Sequence, residues 1–319
     1  RRGESDAREA AVDSRAANGE RPVRAVTIER QVARAGWLFL APALLLIGFF
    51  FFLPAAAALL LSLTDFDIYA LATLDNARFV GTSNYARLLD HPLFWTSLKN
   101  TFYFALGCGP LTVLVALVAA LLVNAPLARF RTFFRTAYFV PFVTTLVAVA
   151  IVWRYLYHPT YGLLNYTLGV FGIAPVNWLG DPKWAMPAII LMAVWKNFGY
   201  YMLIFIAGLQ AIPRELYEAA ELDGANAWRR FISVTVPQLG PTLVFVGVVV
   251  MIGYFQLFAE PYVMTQGGPL KSTTSLVLLM YEEGFRWWRM GFAAAIAFVL
   301  FVIILIWTLI QRRLEPKPA

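Results

Sequence analysis

The side chains able to do chemistry in this sequence are few and far apart. Cys108 is the single cysteine and sits inside an apolar run, which excludes an internal disulfide and suits a small packing residue. His91 and His158 each precede a proline, and the two share no helix-face spacing that would hold a metal. No serine, histidine and aspartate set and no His-rich cluster falls within the apolar stretches. A Gly-x-x-x-x-Gly-Lys-Ser/Thr phosphate loop is absent too, as is any Gly-Lys pair. The sequence therefore predicts no catalytic residue and no metal site.

What remains is polar groups buried in apolar runs. One run carries Trp195, Lys196, Asn197, Tyr200 and Tyr201 near its middle. Lys196 lies roughly 18 Å from either end at 1.5 Å per residue, too far for its side chain to reach water easily. It must face other helices or a wet cavity, as a packing cation or as part of a pathway. A second run carries Gly253, Tyr254, Leu257 and Glu260 at three- and four-residue spacing, which predicts one face, with Phe255, Gln256 and Phe258 beside them. Aromatic rings there can stack on the apolar face of a ring-shaped ligand while amides bond its polar groups, or they can simply pack helices.

Between these runs, residues 210–237 are polar. Glu218-Ala219-Ala220 is followed by Asp223-Gly224, and the stretch closes on Val234-Thr235-Val236-Pro237. Pro213 suits a helix start and Gly224 a left-handed stop, so a helix is predicted from about Pro213 to Asp223. Leu216, Ala219, Ala220 and Asp223 share one face of it, and the two alanines would let a partner approach closely.

The elements that position these groups are membrane helices. Hydrophobic residues make up 60% of the chain and charged residues 14%, which excludes an ordinary soluble domain. Apolar runs able to cross about 30 Å of hydrocarbon occur at 37–62, 100–123, 134–156, 186–209, 239–262 and 290–310. The expected fold is an all-α integral membrane protein with six transmembrane helices, a transmembrane domain at 35–313, and cytoplasmic tails at 1–34 and 314–319. The first tail is rich in Arg, Ala, Glu and Asp and poor in large apolar side chains, so it is expected to be flexible. The first run is too long for a signal-peptide core and is not expected to be cleaved.

Near the span ends, the loops and termini on one side hold thirteen bases, among them Arg129, Arg131, Arg135, Arg214, Arg229, Arg230, Arg312 and Arg313, against eight on the other side. That bias makes the side of the 210–237 loop cytoplasmic. The net charge of +7 is then a topology signal, and its scatter over loops argues against nucleic-acid binding.

The 210–237 stretch resembles the Glu-Ala-Ala loop of ABC-importer permeases, with Val234 and Val236 standing where Ile and Leu are usual. The resemblance extends in order through Phe79-Val80-Gly81, Asn84-Tyr85, Phe94-Trp95, Asn100-Thr101, Trp178-Leu179-Gly180-Asp181-Pro182, Ala207 to Pro213, Thr265-Gln266-Gly267-Gly268-Pro269 with Ser272-Thr273, and Met290 to Ala295. On these motifs the chain, over about residues 37–313, is similar to carbohydrate importer permeases, the inner-membrane components of binding-protein-dependent transport, in the maltose-type and glycerol-3-phosphate-type branch. The resemblance implies a type I importer permease with a cytoplasmic coupling helix, in a bacterial or archaeal plasma membrane. It implies import of sugars, chiefly oligosaccharides, by alternating access, with sugar phosphates as the alternative.

It further implies a second homologous permease subunit, two copies of an ATPase subunit that carry ATP and Mg, and an external solute-binding protein. No cofactor is implied in this chain. The coupling contacts would be Glu218, Ala219, Ala220, Asp223 and Gly224. Alignment with the family places Asn197, Tyr200, Gly253, Tyr254 and Leu257 at sugar-contacting positions. A secondary transporter remains a rival, but related halves with matching interrupted spans are not evident.

Overall fold

The computed structural model describes residues 23–72, 78–125 and 129–313. Among these the chain is helical, with an isolated antiparallel bridge between Thr64 and Phe79. It divides into two compact units, Arg1–Ala58 and Leu59–Ala319.

The first unit holds α1 (Val23–Ile47) and a π-helical turn, Gly48–Phe52, and its boundary falls within α2 (Leu53–Ser62). Residues 1–22 of the expected flexible tail lie outside the described residues, as does the 314–319 tail. From Val23 onward the expectation of a flexible chain is corrected, since this part is helix. Between Pro22 and Gly36 the sequence has neither glycine nor proline, and three alanines and three arginines, both strong helix formers, are spread along it. The following stretch, Ala35–Ser62, is long and apolar enough to cross a membrane, and its apolar window is exposed.

The second unit contains α3 (Ser83–Leu89), α4 (Pro92–Asn124), α5 (Arg131–Val143), α6 (Leu146–Leu156), α7 (Leu163–Val170) and α8 (Pro182–Ala211). There follow α9 (Arg214–Leu222), α10 (Ala227–Arg230), α11 (Gly240–Phe255), α12 (Ala259–Met264), α13 (Leu276–Tyr281) and α14 (Met290–Arg313). Proline opens both long central helices, Pro92 in α4 and Pro182 in α8, where a missing N–H costs nothing. Asp181 caps α8 by accepting from the Lys183 N–H at 2.8 Å.

The six expected spans are not six straight helices. Among the described residues four helices are long and apolar enough to cross a membrane, and the number reaches six only if each of two bent pairs is one span. The expected span at 134–156 is α5 and α6, bent by 98°. Pro141 removes an N–H from the ladder, and Thr144 and Thr145 are both extended, with ψ of 147° and 134°. The expected span at 239–262 stops at Phe255, and a 64° bend separates α11 from the helical stretch Ala227–Gln238 before it. Pro237 and Gly240-Pro241 flank that bend.

The core sits where α4, α8 and α11 meet. Ala105, Cys108, Gly109, Thr112, Ala116 and Ala120 form a stripe of small buried residues along α4, so that neighbouring backbones can approach. Ile189, Met192, Met202 and Phe205 from α8 and Val246, Val250 and Phe255 from α11 join the same core. Several of the spaced motifs prove to be fasteners. Asn84 donates to the Ser62 and Thr64 carbonyls at 2.9 and 2.8 Å. Asn100 donates to the Lys271 and Thr274 carbonyls at 2.9 and 3.0 Å. Thr101 accepts from the Leu276 N–H at 2.9 Å, and Thr273 binds both Thr265 and the Gly268 carbonyl. The Asn100 and Thr101 bonds tie residues 271–276 to α4, and those of Thr273 close the 265–273 turn on itself.

Candidate functional site

The 210–237 loop contains the expected helix, α9 (Arg214–Leu222), and a second short helix, α10, follows it. Pro213 stands just before α9 as its N-cap, with ψ of 134°, rather than inside the first turn as expected. At the other end the chain makes a two-bond stop: the Gly224 N–H donates to the Glu221 carbonyl and the Ala225 N–H to the Ala220 carbonyl, both at 2.9 Å. Gly224 has φ of +74°, a left-handed conformation that strains any residue with a Cβ. Asn226 then caps α10 by accepting from the Arg229 N–H at 2.9 Å. Arg230 pairs with Glu221, and the Tyr217 hydroxyl meets that of Thr235 at 3.0 Å. These bonds hold the two helices to each other.

No residue of α9 is buried. Glu218, Ala219, Asp223 and Gly224 are exposed, and Ala220 is half-buried. Among the large apolar side chains that stand outward here are Leu222 at 91% and Trp228 at 68% exposure. Sequence reasoning did not single them out; the available signal was a Trp and a Leu inside a strongly polar loop.

The midpoint of α8 is arranged differently. Lys196 is buried, and its Nζ donates to the Phe142 carbonyl at 3.0 Å while lying 5.5 Å from the Phe142 ring centroid. Phe142 is in the last turn of α5, where carbonyls have no partner within the helix, so the lysine cation caps the broken end of that helix. One helical turn on, a Cβ at Gly199 would collide with the Tyr138 carbonyl, which shows how closely α8 and α5 approach. Tyr200 stacks on Phe142 at 4.4 Å and 10°, and Phe198 meets Tyr138 at 5.4 Å. Glu260 lies in the first turn of α12 and is half-buried. The roles of Tyr138, Phe142 and Gly199 were missed in the sequence, where Pro141 and Thr144-Thr145 were the available signs of a helix end.

The five expected substrate residues do not share one surface. Asn197 is half-buried and donates to the Ala193 carbonyl of its own helix at 2.8 Å. Gly253 is exposed, with open space where a side chain would be. Tyr254 is buried, its hydroxyl 2.8 Å from that of Thr112 and its ring edge-on to Phe104 at 5.4 Å. Leu257 is also buried, and its carbonyl accepts from the Ser275 hydroxyl. The single face expected for Gly253, Tyr254, Leu257 and Glu260 is corrected. Adjacent helix positions point about 100° apart, and α11 ends at Phe255, before Leu257 and Glu260.

A bundle of long apolar helices, some bent at prolines, with an exposed helical pair between two of them is the architecture of a transport permease. Residues 102–319 match the family described as binding-protein-dependent transport system inner membrane component. The chain is 38% identical over 281 residues to the lactose transport system permease LacF of Rhizobium radiobacter, covering 86% of this chain and 92% of that one. It is 37% identical to the arabinooligosaccharides permease AraP of Bacillus subtilis, over 74% of this chain and 76% of that one. It is also 37% identical to the trehalose/maltose permease MalF of Thermococcus litoralis, over 74% and 79% of the two chains. The fold superposes with TM-score 0.74 on a bacterial ABC transporter that imports alginate, at 23% identity, covering 91% of this chain and all of that one.

The protein thus belongs to the binding-protein-dependent inner-membrane permeases. It is a multi-pass transport subunit of the ABC-importer class rather than an enzyme.

Proposed function

We propose that this chain is one permease subunit of an ATP-driven importer of oligosaccharides. The observation that carries the proposal is the α9–α10 pair, a rigid helical unit with exposed acids, alanines and apolar side chains, joined to α8 on one side and through a bend to α11 on the other. Such a unit fits a cleft in a separate ATPase subunit, two copies of which would bind ATP and Mg. Closure of those subunits would move α9 as a body and tilt α8 and α11, provided ATP favours one permease conformation over the other by differential contacts. A second, homologous permease subunit completes the path, and an external solute-binding protein delivers the sugar. The saccharide class is supported by the relatives named for lactose, arabinooligosaccharides and trehalose/maltose.

Within this reading both termini and the α9–α10 loop face the cytoplasm. Asn197, Tyr200 and the open space at Gly253 border the sugar path. Tyr254 and Leu257 form the wall behind it, and Glu218, Ala219, Ala220, Asp223 and Gly224 meet the ATPase. The deciding experiment is reconstitution with the partner subunits in liposomes, measuring uptake of labelled saccharides of increasing length. Uptake is expected only with ATP and loaded binding protein. Uptake that proceeds without the ATPase subunits would overturn the assignment.

A further inference from the structure

The segment that joins α6 to α8 has an apolar surface of its own. Between Arg154 and Asp181 the sequence has no Asp, Glu, Lys or Arg. Within this segment α7 turns unlike faces in two directions. Asn165 is buried, and Leu164 packs against the core. Leu163, Tyr166 and Val170, at three- and four-residue spacing, stand outward and are exposed. The Thr167 hydroxyl, also on the outward side, donates to the Leu164 carbonyl at 2.8 Å and is satisfied within the helix. Gly172, with φ of +72°, ends α7, and the Ile173 N–H folds back onto the Leu168 carbonyl at 3.0 Å. A groove of about 680 Å³ beside the helix is lined by Tyr161, Leu163, Tyr166 and Ile173, with Pro175 and Asn177.

What covers this face follows from its level in the bilayer. With each bent pair counted as one span, α4, α8 and α14 begin on the same side of the membrane, and α7 lies on that side too. Each of these three helices has exposed tryptophan at its start: Trp95 in the first turn of α4, Trp184 in that of α8, and Trp287 and Trp288 just before α14. Trp and Tyr concentrate where hydrocarbon meets water, so these residues mark the interface on that side. The helix α7 is fastened to the same level. Asn165 Oδ1 accepts from the Trp178 indole N–H at 2.9 Å, and the Trp178 ring meets that of Trp184 edge-on at 5.4 Å.

An uncharged apolar helix face held at that level has the polarity of the boundary between headgroups and acyl chains. A surface that receives a water-soluble protein uses charge to steer and orient it, and this segment carries none. Two turns of helix alone would hold to a bilayer weakly. Here α6 and α8 deliver the helix to the interface, so the contact is made within one molecule.

We propose that α7 is an interfacial helix, with Leu163, Tyr166 and Val170 set among the lipid headgroups and the upper acyl chains. Through Trp178 and Trp184 it fixes the height of the start of α8 in the membrane.

The test uses the complete transporter in liposomes of phosphatidylethanolamine and phosphatidylglycerol, with partner subunits free of reactive cysteine. A nitroxide is attached to Leu163→Cys, Tyr166→Cys or Val170→Cys, one at a time; Cys108 is buried and stays unlabelled. All three positions are exposed, so a variant that fails to assemble leaves two others to decide. Power saturation of the electron paramagnetic resonance signal compares collisions with oxygen, which enters lipid, and with a nickel chelate, which stays in water. Oxygen should dominate at every position, with the labels about 5–10 Å below the lipid phosphates. Dominance of the nickel chelate would overturn the proposal, since the face would then lie in water. Protection from both reagents would overturn it too, and would make the face an interface with the second permease subunit. So would oxygen contact that disappears when saccharide-loaded binding protein is added, which would make it a docking surface for that protein.

Discussion

At the midpoint of α8 the charged group is answered from within the chain, by the Phe142 carbonyl and ring beside Lys196. On α9 and α10 the internal bonds fix only the shape of the loop, and Leu222 and Trp228 are left facing outward. A buried cation with its hydrogen bond made is a feature of one chain's own packing. In the proposed reading, the exposed apolar pair on this internally hydrogen-bonded polar loop belongs to a surface that meets another chain. The two regions are joined through α8, so a force applied at the loop would be felt first where α8 clamps the broken third span.

The sharpest way to break this contrast is to damage the loop without touching the bundle. Gly224→Asp places a Cβ at φ of +74°, which costs about 1–2 kcal/mol and loosens the stop of α9. Glu218→Lys reverses a charge on an exposed position. Both variants are expected to reach the membrane and assemble in normal amounts while ATP-driven uptake is largely lost. Immunoblots of membrane fractions beside uptake in liposomes provide the check, and uptake at the unaltered rate would remove α9 from coupling.

The converse damage should act on the protein itself. Gly199→Leu drives a side chain into the Tyr138 carbonyl, so the amount of assembled complex should fall sharply. Lys196→Met is gentler. It leaves the Phe142 carbonyl without its donor, at about 1–3 kcal/mol for a buried unsatisfied group, and should lower the thermal midpoint of the purified complex before it lowers uptake. If Lys196→Met abolished uptake with no change in thermal stability, Lys196 would belong to the pathway and the contrast between the two regions would fail.

How much of this was legible in the sequence differs between the same two regions. The loop was readable because its determinants are local: Pro213 marks where α9 begins and Gly224 supplies the backbone conformation that ends it. Its outward apolar residues were overlooked because exposure depends on the whole fold. At the midplane the sequence identified Lys196 as needing a partner but not which one, since Phe142 is 54 positions away. The break that frees the Phe142 carbonyl was encoded in Pro141 and two threonines inside an otherwise uniform apolar run, where hydropathy alone reads a single span. The face proposed for Gly253, Tyr254 and Leu257 was misread for a similar reason, because the end of α11 at Phe255 has no strong local signal.

Orientation offers a second way to sharpen the comparison. If the loop meets a cytoplasmic ATPase, single cysteines at Ser83 and Asp181 should react with an impermeant reagent added outside intact cells, and a cysteine at Asn226 should react only after the membrane is opened. Cysteines at Ala128 and Pro316, which lie outside the described residues, belong with Asn226 in this scheme. Labelling in the reverse pattern would place α9 and α10 on the outer face, where no ATPase could reach them.

The smallest expected effect separates path from wall at the midplane. Tyr200 is half-buried and stacked on Phe142, whereas Tyr254 is buried with its hydroxyl on Thr112. Tyr200→Ala removes one stacking surface, worth about 1 kcal/mol, or somewhat more where a hydrogen-bond partner is left alone. If Tyr200 borders the sugar path, the apparent affinity for transported saccharide should fall about five- to tenfold at normal complex yield. Tyr254→Phe deletes only the buried hydroxyl, and should lower the thermal midpoint slightly without altering that affinity. Measuring yield, thermal midpoint and concentration dependence of uptake on both variants distinguishes the two roles. A Tyr200→Ala protein that assembles fully and transports every saccharide unchanged would make that tyrosine part of the clamp on the third span and nothing more.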